Sequence, residues 1–213
     1  MPTPANKGQK YPAEPLTPDE ARRVIGAITG SGPLAVRNRA LVALLWRSGL
    51  RVGEALALRP SDVDERAGTL NVREGKGRKA RVAVIDGEAL GHLRAWLEVR
   101  RRAGINGRAP IFCTLANGQG PRGAGVRRAG LPLDSSYVRR LLPKLGEAAG
   151  IEKRVHAHGL RHSHATELVA AGVPLHVIAG QLGHASTATT DTYLAKIAPA
   201  ERIAAMRGAG WAL

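Results

Sequence analysis

The chain of 213 residues contains a single cysteine and very few aromatic side chains. One cysteine, Cys113, excludes an intramolecular disulfide and any cysteine-rich zinc site. Because Cys113 follows Ile111 and Phe112 in an apolar run, we expect it to be a small residue of the core. Aromatic residues form only 3% of the sequence, and this scarcity argues against modules that bind single-stranded nucleic acid by stacking bases on aromatic rings.

Long apolar stretches are missing as well. No run approaches the roughly 20 apolar residues that a membrane-spanning helix needs. Residues 1–14 are polar and lack the apolar core of a signal peptide. We therefore expect an intracellular protein without a membrane partner.

Acidic residues are in deficit, because 17 Asp and Glu stand against 32 Lys and Arg, and the net charge at pH 7 is +15. A surplus of this size predicts a polyanionic partner. Nucleic acid is the leading candidate, because each phosphate neutralised by a lysine or an arginine releases a counterion. The alternative is a generally basic surface with no specific partner.

The hydrophobic pattern predicts an α+β fold that is mostly α-helical, with one small antiparallel β-sheet. Residues 1–15 contain four prolines and no periodic apolar pattern, so we expect a disordered leader before a single domain over residues 16–213. Thr17, Pro18 and Glu20 form a helix start with a capping box. Later signals predict helices at 34–48, from 52 to Pro60, from Asp86 to Gly104, from Asp134 or Ser135 to Gly150, at 157–171, 174–182 and 186–194, and from Pro199 onward.

The period changes in the middle of the chain. Apolar and polar residues alternate at 69–73 and again at 81–84, with a glycine-containing basic turn between them, and this pattern predicts a β-hairpin. Residues 111–113 are predicted to form a third short strand. Residues 116–132 are rich in Gly, Pro and Arg, and we expect a flexible basic loop there.

Three positions in the first half of the chain carry side chains suited to phosphate chemistry. Arg51 follows a predicted helix end, where its planar guanidinium can bind a phosphate, and Glu54 can orient it from three residues away. An ordinary surface ion pair between the two is the alternative. Lys76 lies between two glycines at the predicted hairpin turn, from which it can protonate a leaving oxygen, unless it is only a solvated turn residue.

The second half contains a histidine-rich segment and a late tyrosine. His158 and Arg161 are three residues apart on a predicted helix, so both can donate hydrogen bonds to one phosphate. Zinc binding by the clustered histidines is the alternative, although the HExxH and HxxEH patterns are absent. His184 follows a predicted helix end, and the phenol of Tyr193 can attack phosphorus if its charge is stabilised. For a lone tyrosine, packing or simple surface exposure is the alternative.

As an ordered set, these segments resemble the motifs of the tyrosine recombinase (phage integrase) family. They are similar, in order, to its first arginine box, its hairpin lysine, its HxxR box, and its last box with the nucleophile. The resemblance extends over about residues 17–200 and implies the catalytic-domain fold of that family. The matching segments are SGLRVGE at 48–54, GKG at 75–77, HGLRHSHAT at 158–166, and LGH at 182–184 followed by Tyr193.

The resemblance implies a role for each matching residue. The two arginines would hold the scissile phosphate and stabilise its transition state, and the two histidines would hydrogen-bond the same oxygens or move protons. The lysine would protonate the departing 5′ oxygen, and the tyrosine would form a 3′-phosphotyrosyl bond. Neither ATP nor a cofactor, metal or small-molecule ligand is implied, because that bond conserves energy and the arginines supply positive charge. The implied catalytic residues are Arg51, Lys76, His158, Arg161, His184 and Tyr193, with Glu54 in support.

The resemblance also implies double-stranded DNA as the partner, a homo-oligomer that is a tetramer on DNA, and a cytoplasmic, nucleoid-associated location in bacteria or during phage infection. Residues 200–206 are expected to contact a neighbouring protomer. Members of the family usually carry an N-terminal helical domain, whereas only a short leader precedes residue 16 here. Two alternatives therefore stay open: an integrase remnant that binds DNA or regulates recombination without recombining alone, and a topoisomerase-like nicking and closing enzyme.

Overall fold

The computed structural model describes residues 14–73, 80–115 and 128–183. Within these ranges the chain forms seven α-helices and one three-stranded antiparallel sheet, so the predicted α+β class is confirmed. The helices are α1 (Pro18–Gly26), α2 (Pro33–Ser48), α3 (Val52–Ala57), α4 (Gly87–Arg102), α5 (Ser135–Ala148), α6 (Ala157–Ala170) and α7 (Leu175–Leu182). The strands are β1 (Val63–Asp64), β2 (Thr69–Val72) and β3 (Arg81–Val84).

Several predicted features lie outside the described residues. They are most of the leader at 1–15, the hairpin turn at 74–79, most of the basic loop at 116–132, the helix at 186–194 and the helix from Pro199. None of the helices within the described ranges has the length and apolar character needed to cross a membrane.

The described helix ends follow the capping signals of the sequence. At the start of α1, the Glu20 backbone N–H donates to the Thr17 hydroxyl at 3.2 Å, and the Thr17 N–H donates to the Glu20 carboxylate at 2.8 Å. Asp86 caps α4 by accepting a hydrogen bond from the Ala89 N–H at 2.9 Å. Gly49 ends α2 in the left-handed conformation, with a φ of 62°.

The sheet consists of the predicted hairpin and one strand that the pattern did not predict. β2 and β3 are antiparallel, with Val72 opposite Arg81, and the two-residue strand β1 pairs with the other edge of β2. The faces of β3 are unusual. Ala83 is completely buried and Arg81 lies on the same face, whereas Val82 and Val84 are both 55% exposed.

The prediction of a strand at 111–113 is wrong. Within the described chain, Cys113 makes only an isolated β-bridge. The Ile111 N–H donates to the Leu58 carbonyl at 2.7 Å, and the Ile111 carbonyl accepts a hydrogen bond from the Trp96 indole at 2.8 Å. The backbone partners of this segment therefore come from a loop and from a helix side chain. Its apolar character reflects complete burial in the core, as expected for Cys113.

Helix α2 lies at the centre of the hydrophobic core. It packs against α4 and α6, and also contacts α1 and α3. Leu41, Leu44, Leu45 and Trp46 are completely buried, and burial of each such side chain stabilises the fold by about 2 kcal/mol. Because α2 is anchored in this way, its C-terminal end at Ser48 is held in the interior, three residues before Arg51.

Candidate active site

Four elements meet at the predicted site: the C-terminal ends of α2 and α7, the first turn of α3 and the first half of α6. Strand β3 lies beside them. The predicted site residues that the structure describes are Arg51, Glu54, His158 and Arg161. The others, Lys76, His184 and Tyr193, lie outside the described residues.

Arg51 is the N-cap residue of α3, directly after the turn that ends α2. Its Nη1 atom donates to Glu54 Oε1 at 2.9 Å, and its backbone N–H donates to Glu54 Oε2 at 2.9 Å. The Arg51 side chain is 32% exposed, whereas that of Glu54 is 13% exposed. Glu54 is therefore largely buried and accepts two hydrogen bonds from a partly exposed Arg51, so the contact differs from an ordinary surface ion pair.

Arg161 is almost completely buried on α6, with 3% exposure. Its Nη1 atom donates to the Gly49 carbonyl at 2.6 Å, and its Nη2 atom donates to the Leu182 carbonyl at 2.8 Å. These carbonyls lie at the C-terminal ends of α2 and α7, where the helix dipoles favour a cation. The guanidinium of Arg161 is therefore held in a defined orientation by the backbone of two helices.

Gly49 permits the close approach of these helix ends. A Cβ atom on Gly49 would lie 2.6 Å from Leu182 Cδ2 and 2.8 Å from His164 Cδ2, and its positive φ is a conformation that favours glycine. A small apolar cluster that includes Ala165 and Ile178 joins α6 to α7 and stabilises the same arrangement. The sequence identified Gly49 as a helix stop, but it did not reveal this second function in packing.

His158 lies in the first turn of α6, one turn before Arg161. Desolvation and the nearby guanidiniums of Arg161 and Arg51 lower the pKa of His158 below its ordinary value of 6.5. The imidazole is therefore neutral at pH 7, with one N–H to donate and one nitrogen lone pair to accept a proton. Because the charges of both arginines act on its imidazole, His158 lies within electrostatic reach of Arg51 and Arg161.

His156 has a local structural function that the sequence analysis did not assign. Its Nδ1 atom accepts a hydrogen bond from the Gly159 N–H at 2.9 Å and so caps α6. Its ring is stacked on that of His158, with centroids 6.4 Å apart and planes within 4°. The sequence signal was its position just before a helix start, but a histidine is an uncommon cap.

Glu54 has a second arginine partner, which the sequence did not reveal. Arg81, at the start of β3, donates from Nη1 to Glu54 Oε1 at 3.1 Å and from Nη2 to Glu54 Oε2 at 2.9 Å. Burial alone would raise the pKa of Glu54, but the hydrogen bonds from Arg81 and Arg51 lower it to about 2. The carboxylate is therefore ionised at neutral and mildly acidic pH. The available signal was the alternation that puts Arg81 on the same face as Ala83.

A cavity of about 410 Å³ opens between α6, α7 and the connection from β3 to α4. His164 lines it and is 6% exposed, and its Nε2 atom has no hydrogen-bond partner among the described residues. Desolvation and the Arg47 cation lower the pKa of His164 to about 4. Arg47 in turn donates to Glu167 at 2.6 Å and pairs with Asp86.

Comparison with known proteins identifies similar sequences over nearly the whole chain. The model of the phage integrase family matches residues 14–198. Tyrosine recombinase XerC of Halalkalibacterium halodurans is 35% identical over 187 residues, which cover 88% of this chain and 59% of that protein. Tyrosine recombinase XerD of Mycobacterium leprae is 37% identical over 195 residues, which cover 89% of this chain and 58% of that protein. The chain thus spans about three fifths of the length of the curated relatives that it matches.

Solved structures with the same fold include two recombinases. The crystal structure of XerA recombinase matches with a TM-score of 0.77 and 29% identity, covering 99% of this chain and 68% of that one. XerH site-specific recombinase bound to difH substrate, in a pre-cleavage complex, matches with a TM-score of 0.67 and 28% identity, covering 87% of this chain and 51% of that one.

Proposed function

Because the chain belongs to the phage integrase family of tyrosine recombinases, we propose that residues 16–213 form the catalytic domain of a site-specific DNA recombinase. The domain cuts a DNA strand by attack of Tyr193 on a phosphodiester and later rejoins it. One observation carries the proposal. Arg51 directly precedes α3, whereas His158 and Arg161 lie on α6 far along the chain, and both guanidiniums act on the His158 imidazole; together they would supply the charge and hydrogen bonds that a pentacovalent phosphate needs.

Arg51 and Arg161 differ in burial, and one buried arginine beside one accessible arginine suits a phosphate site. Arg161 is buried and oriented by two backbone carbonyls, whereas Arg51 is one third exposed and accessible to a ligand. Positive charge that is oriented in advance stabilises the transition state without reorganisation, and loss of one such donor slows comparable reactions by about 10²–10³ fold. Glu54 contributes by holding Arg51 in place.

The proposed reaction exchanges one phosphate ester for another. The Tyr193 oxygen bonds to phosphorus, the bond from phosphorus to the 5′ oxygen breaks, and Lys76 supplies the proton that this oxygen takes up. His158, which is neutral at pH 7, and His184 hydrogen-bond the phosphate oxygens or move the phenol proton. In the return step, a 5′ hydroxyl attacks the 3′-phosphotyrosyl bond and releases the tyrosine. No ATP is needed, because the energy of the original ester is retained.

Double-stranded DNA is the proposed partner. The net charge of +15 favours a polyanion, and the XerH structure is of a recombinase bound to its difH substrate. We further propose that four copies of the chain act together on two duplexes. Exchange between two duplexes requires four strand cuts, and each copy has one proposed nucleophile. With this activity, we propose that the protein acts in the cytoplasm, at the nucleoid.

A covalent trapping assay with randomised DNA tests the proposal and finds the target site in the same experiment. The full chain is mixed with a library of nicked duplexes whose sequence is randomised around the nick. After attack, the short fragment between the scissile phosphate and the nick diffuses away, so rejoining is blocked and the protein stays attached. Denaturing gels detect the adduct, and sequencing of the attached DNA identifies the cleaved site.

Replacement of Tyr193 by phenylalanine is the decisive variant. Tyr193→Phe should abolish the adduct and leave DNA binding intact, because only the nucleophilic oxygen is lost. Tyr137→Phe is the matched control, since the Tyr137 hydroxyl donates to Asn38 at 2.8 Å in a partly buried contact, and it should still form the adduct. An adduct with Tyr193→Phe would show that Tyr193 is not the nucleophile. Salt-sensitive DNA binding without any adduct from the wild type would support a binding or regulatory module.

A further inference from the structure

Arg81 connects three parts of the proposed active site, although it lies outside every segment that resembles a family motif. Its Nη1 and Nη2 atoms contact both oxygens of Glu54, at 3.1 and 2.9 Å. Its Nε atom donates to the Gln181 carbonyl at 3.2 Å, in the last turn of α7. The side chain is only 13% exposed. Each of its three nitrogens therefore donates to an acceptor within the protein.

The same guanidinium packs against the backbone where α7 ends. A Cβ atom on Gly183 would lie 2.7 Å from Arg81 Cζ, so only glycine leaves room for this contact. The Gln181 side chain reinforces it, since its amide group accepts from the Val84 N–H at 2.9 Å and donates to the Val84 carbonyl at 2.7 Å. The end of α7, which directly precedes His184, is thus attached to β3 by two neighbouring side chains.

We propose that Arg81 is a positioning residue of the active site. It orients Arg51 through Glu54, and it fixes the last turn of α7, from which the chain continues towards His184 and the nucleophile. This inference rests on the proposed function. A two-pronged contact with both carboxylate oxygens needs the planar fork of a guanidinium, and a lysine cannot reproduce it.

Arg73 provides a matched control on the same hairpin. It follows β2 directly, as Arg81 begins β3, and it pairs with Asp62 through a 2.7 Å contact from Nε. Its side chain is 57% exposed and has no described contact with Glu54 or α7. Replacement of either arginine by glutamine removes the same charge from the hairpin, so the two variants separate positioning from a general electrostatic effect on DNA binding.

The first test compares binding with rate on a nicked duplex that carries a sequence recovered by covalent trapping. In Arg81→Gln and Arg81→Lys, adduct formation at saturating DNA should be slower by about tenfold or more. The half-saturating DNA concentration should stay within about twofold of the wild type. Arg73→Gln should change neither rate nor affinity. An Arg81→Lys protein with the wild-type rate would overturn the inference, and this variant keeps the charge if Arg81→Gln folds poorly.

A double variant tests the route through Glu54. If Arg81 acts on Arg51 by way of Glu54, then adding Glu54→Gln to Arg81→Gln should slow the reaction little beyond the slower single variant. Two effects that multiply would show that Arg81 and Glu54 act independently, which contradicts the proposed route.

A second measurement does not depend on cleavage. The NMR order parameter of the Arg51 Nε–H bond, assigned by its loss in Arg51→Lys, should fall in Arg81→Gln and remain high in Arg73→Gln. An Arg51 side chain that stays ordered in Arg81→Gln would overturn the inference, whether or not the chain cleaves DNA. If Arg51 loses order in that variant while the wild type forms no adduct, Arg81 is still a positioning residue and the proposed recombinase activity is the part that fails.

Discussion

At the scale of single residues, His164 shows how burial can set the response of the fold to acid. It lies at the wall of the cavity beside Arg47, and its pKa is lowered to about 4 by desolvation and by the cations of Arg47 and Arg161, against the opposing effect of Asp86. The folded chain therefore keeps this imidazole neutral, whereas the unfolded chain protonates it near its ordinary value of 6.5.

This difference predicts a loss of stability on acidification. Because the unfolded state binds more protons than the folded state between pH 6.5 and about 4, the stability falls as the pH falls through that window. A shift of this size corresponds to up to about 3 kcal/mol. His164→Gln should remove this part of the pH dependence, measured as the free energy of unfolding in urea from neutral to acidic pH.

An exposed histidine on α7 controls for the loss of one titratable group. His176 is exposed to solvent in the folded chain, so His176→Gln is the control substitution with which the curve of His164→Gln is compared. The quantity compared is the difference in the free energy of unfolding between each variant and the wild type at each pH. Parallel curves for the wild type and His164→Gln would contradict the prediction.

At the scale of secondary-structure elements, the junction of α2 with α7 depends on Gly49. Gly49→Ala should lower the free energy of unfolding by at least about 2 kcal/mol, because a left-handed residue with a Cβ atom is strained and the new methyl group collides with Leu182 and His164. Chemical denaturation measures the loss.

Gly104 offers a matched comparison for the backbone contribution alone. It follows α4 with a φ of 65°, and a Cβ atom on it would meet nothing within 4 Å. Gly104→Ala should therefore lower the stability by only about 1–2 kcal/mol. Equal losses in the two variants would show that the contact between the ends of α2 and α7 is not tightly packed.

Elements whose signals are local could be predicted from the sequence. The Thr17 capping box, the Asp86 cap and the hairpin strands each depend on residues within a few positions of one another, and the structure confirms them. The prediction of a strand at 111–113 was wrong because a short apolar run has the same pattern in a strand and in a buried loop. Strand β1 has only two residues, too few to show any alternation.

The contacts of the candidate site also divide into those that are local in the sequence and those that are not. Arg51 and Glu54 are close in sequence, so their contact could be predicted, as could the shared face of His158 and Arg161. The partners of Arg161 at Gly49 and Leu182 could not, because they are separated by 112 and 21 positions and depend on how three helices pack. Arg81 was missed for the same reason.

At the scale of the whole molecule, the excess of positive charge cannot be neutralised internally. If each of the 17 carboxylates paired with one cation, 15 of the 32 lysines and arginines would still lack a carboxylate partner. Described carboxylates such as Glu54, Asp62 and Glu167 already pair with arginines. Surplus cations that lie on the surface can therefore contact phosphates, whereas Arg37 and Arg100 are buried.

DNA binding should therefore weaken steeply with salt. If about five cations contact phosphates, the logarithm of the association constant should fall with a slope of about −4.5 against the logarithm of the salt concentration. Fluorescence anisotropy of a labelled duplex, titrated at several potassium chloride concentrations, measures this slope. A flat response would contradict a role for the excess cations in binding phosphates.

The two faces of β3 have a consequence for how the chain folds. A slip of one residue in the pairing with β2 would bury Val82 and Val84 but expose Ala83 and Ile85, so burial of apolar side chains alone distinguishes poorly between the two registers. The native register is also held by polar contacts, from Arg81 to Glu54 and from Gln181 to Val84. The interactions that we propose to organise the active site are the same ones that select the correct sheet.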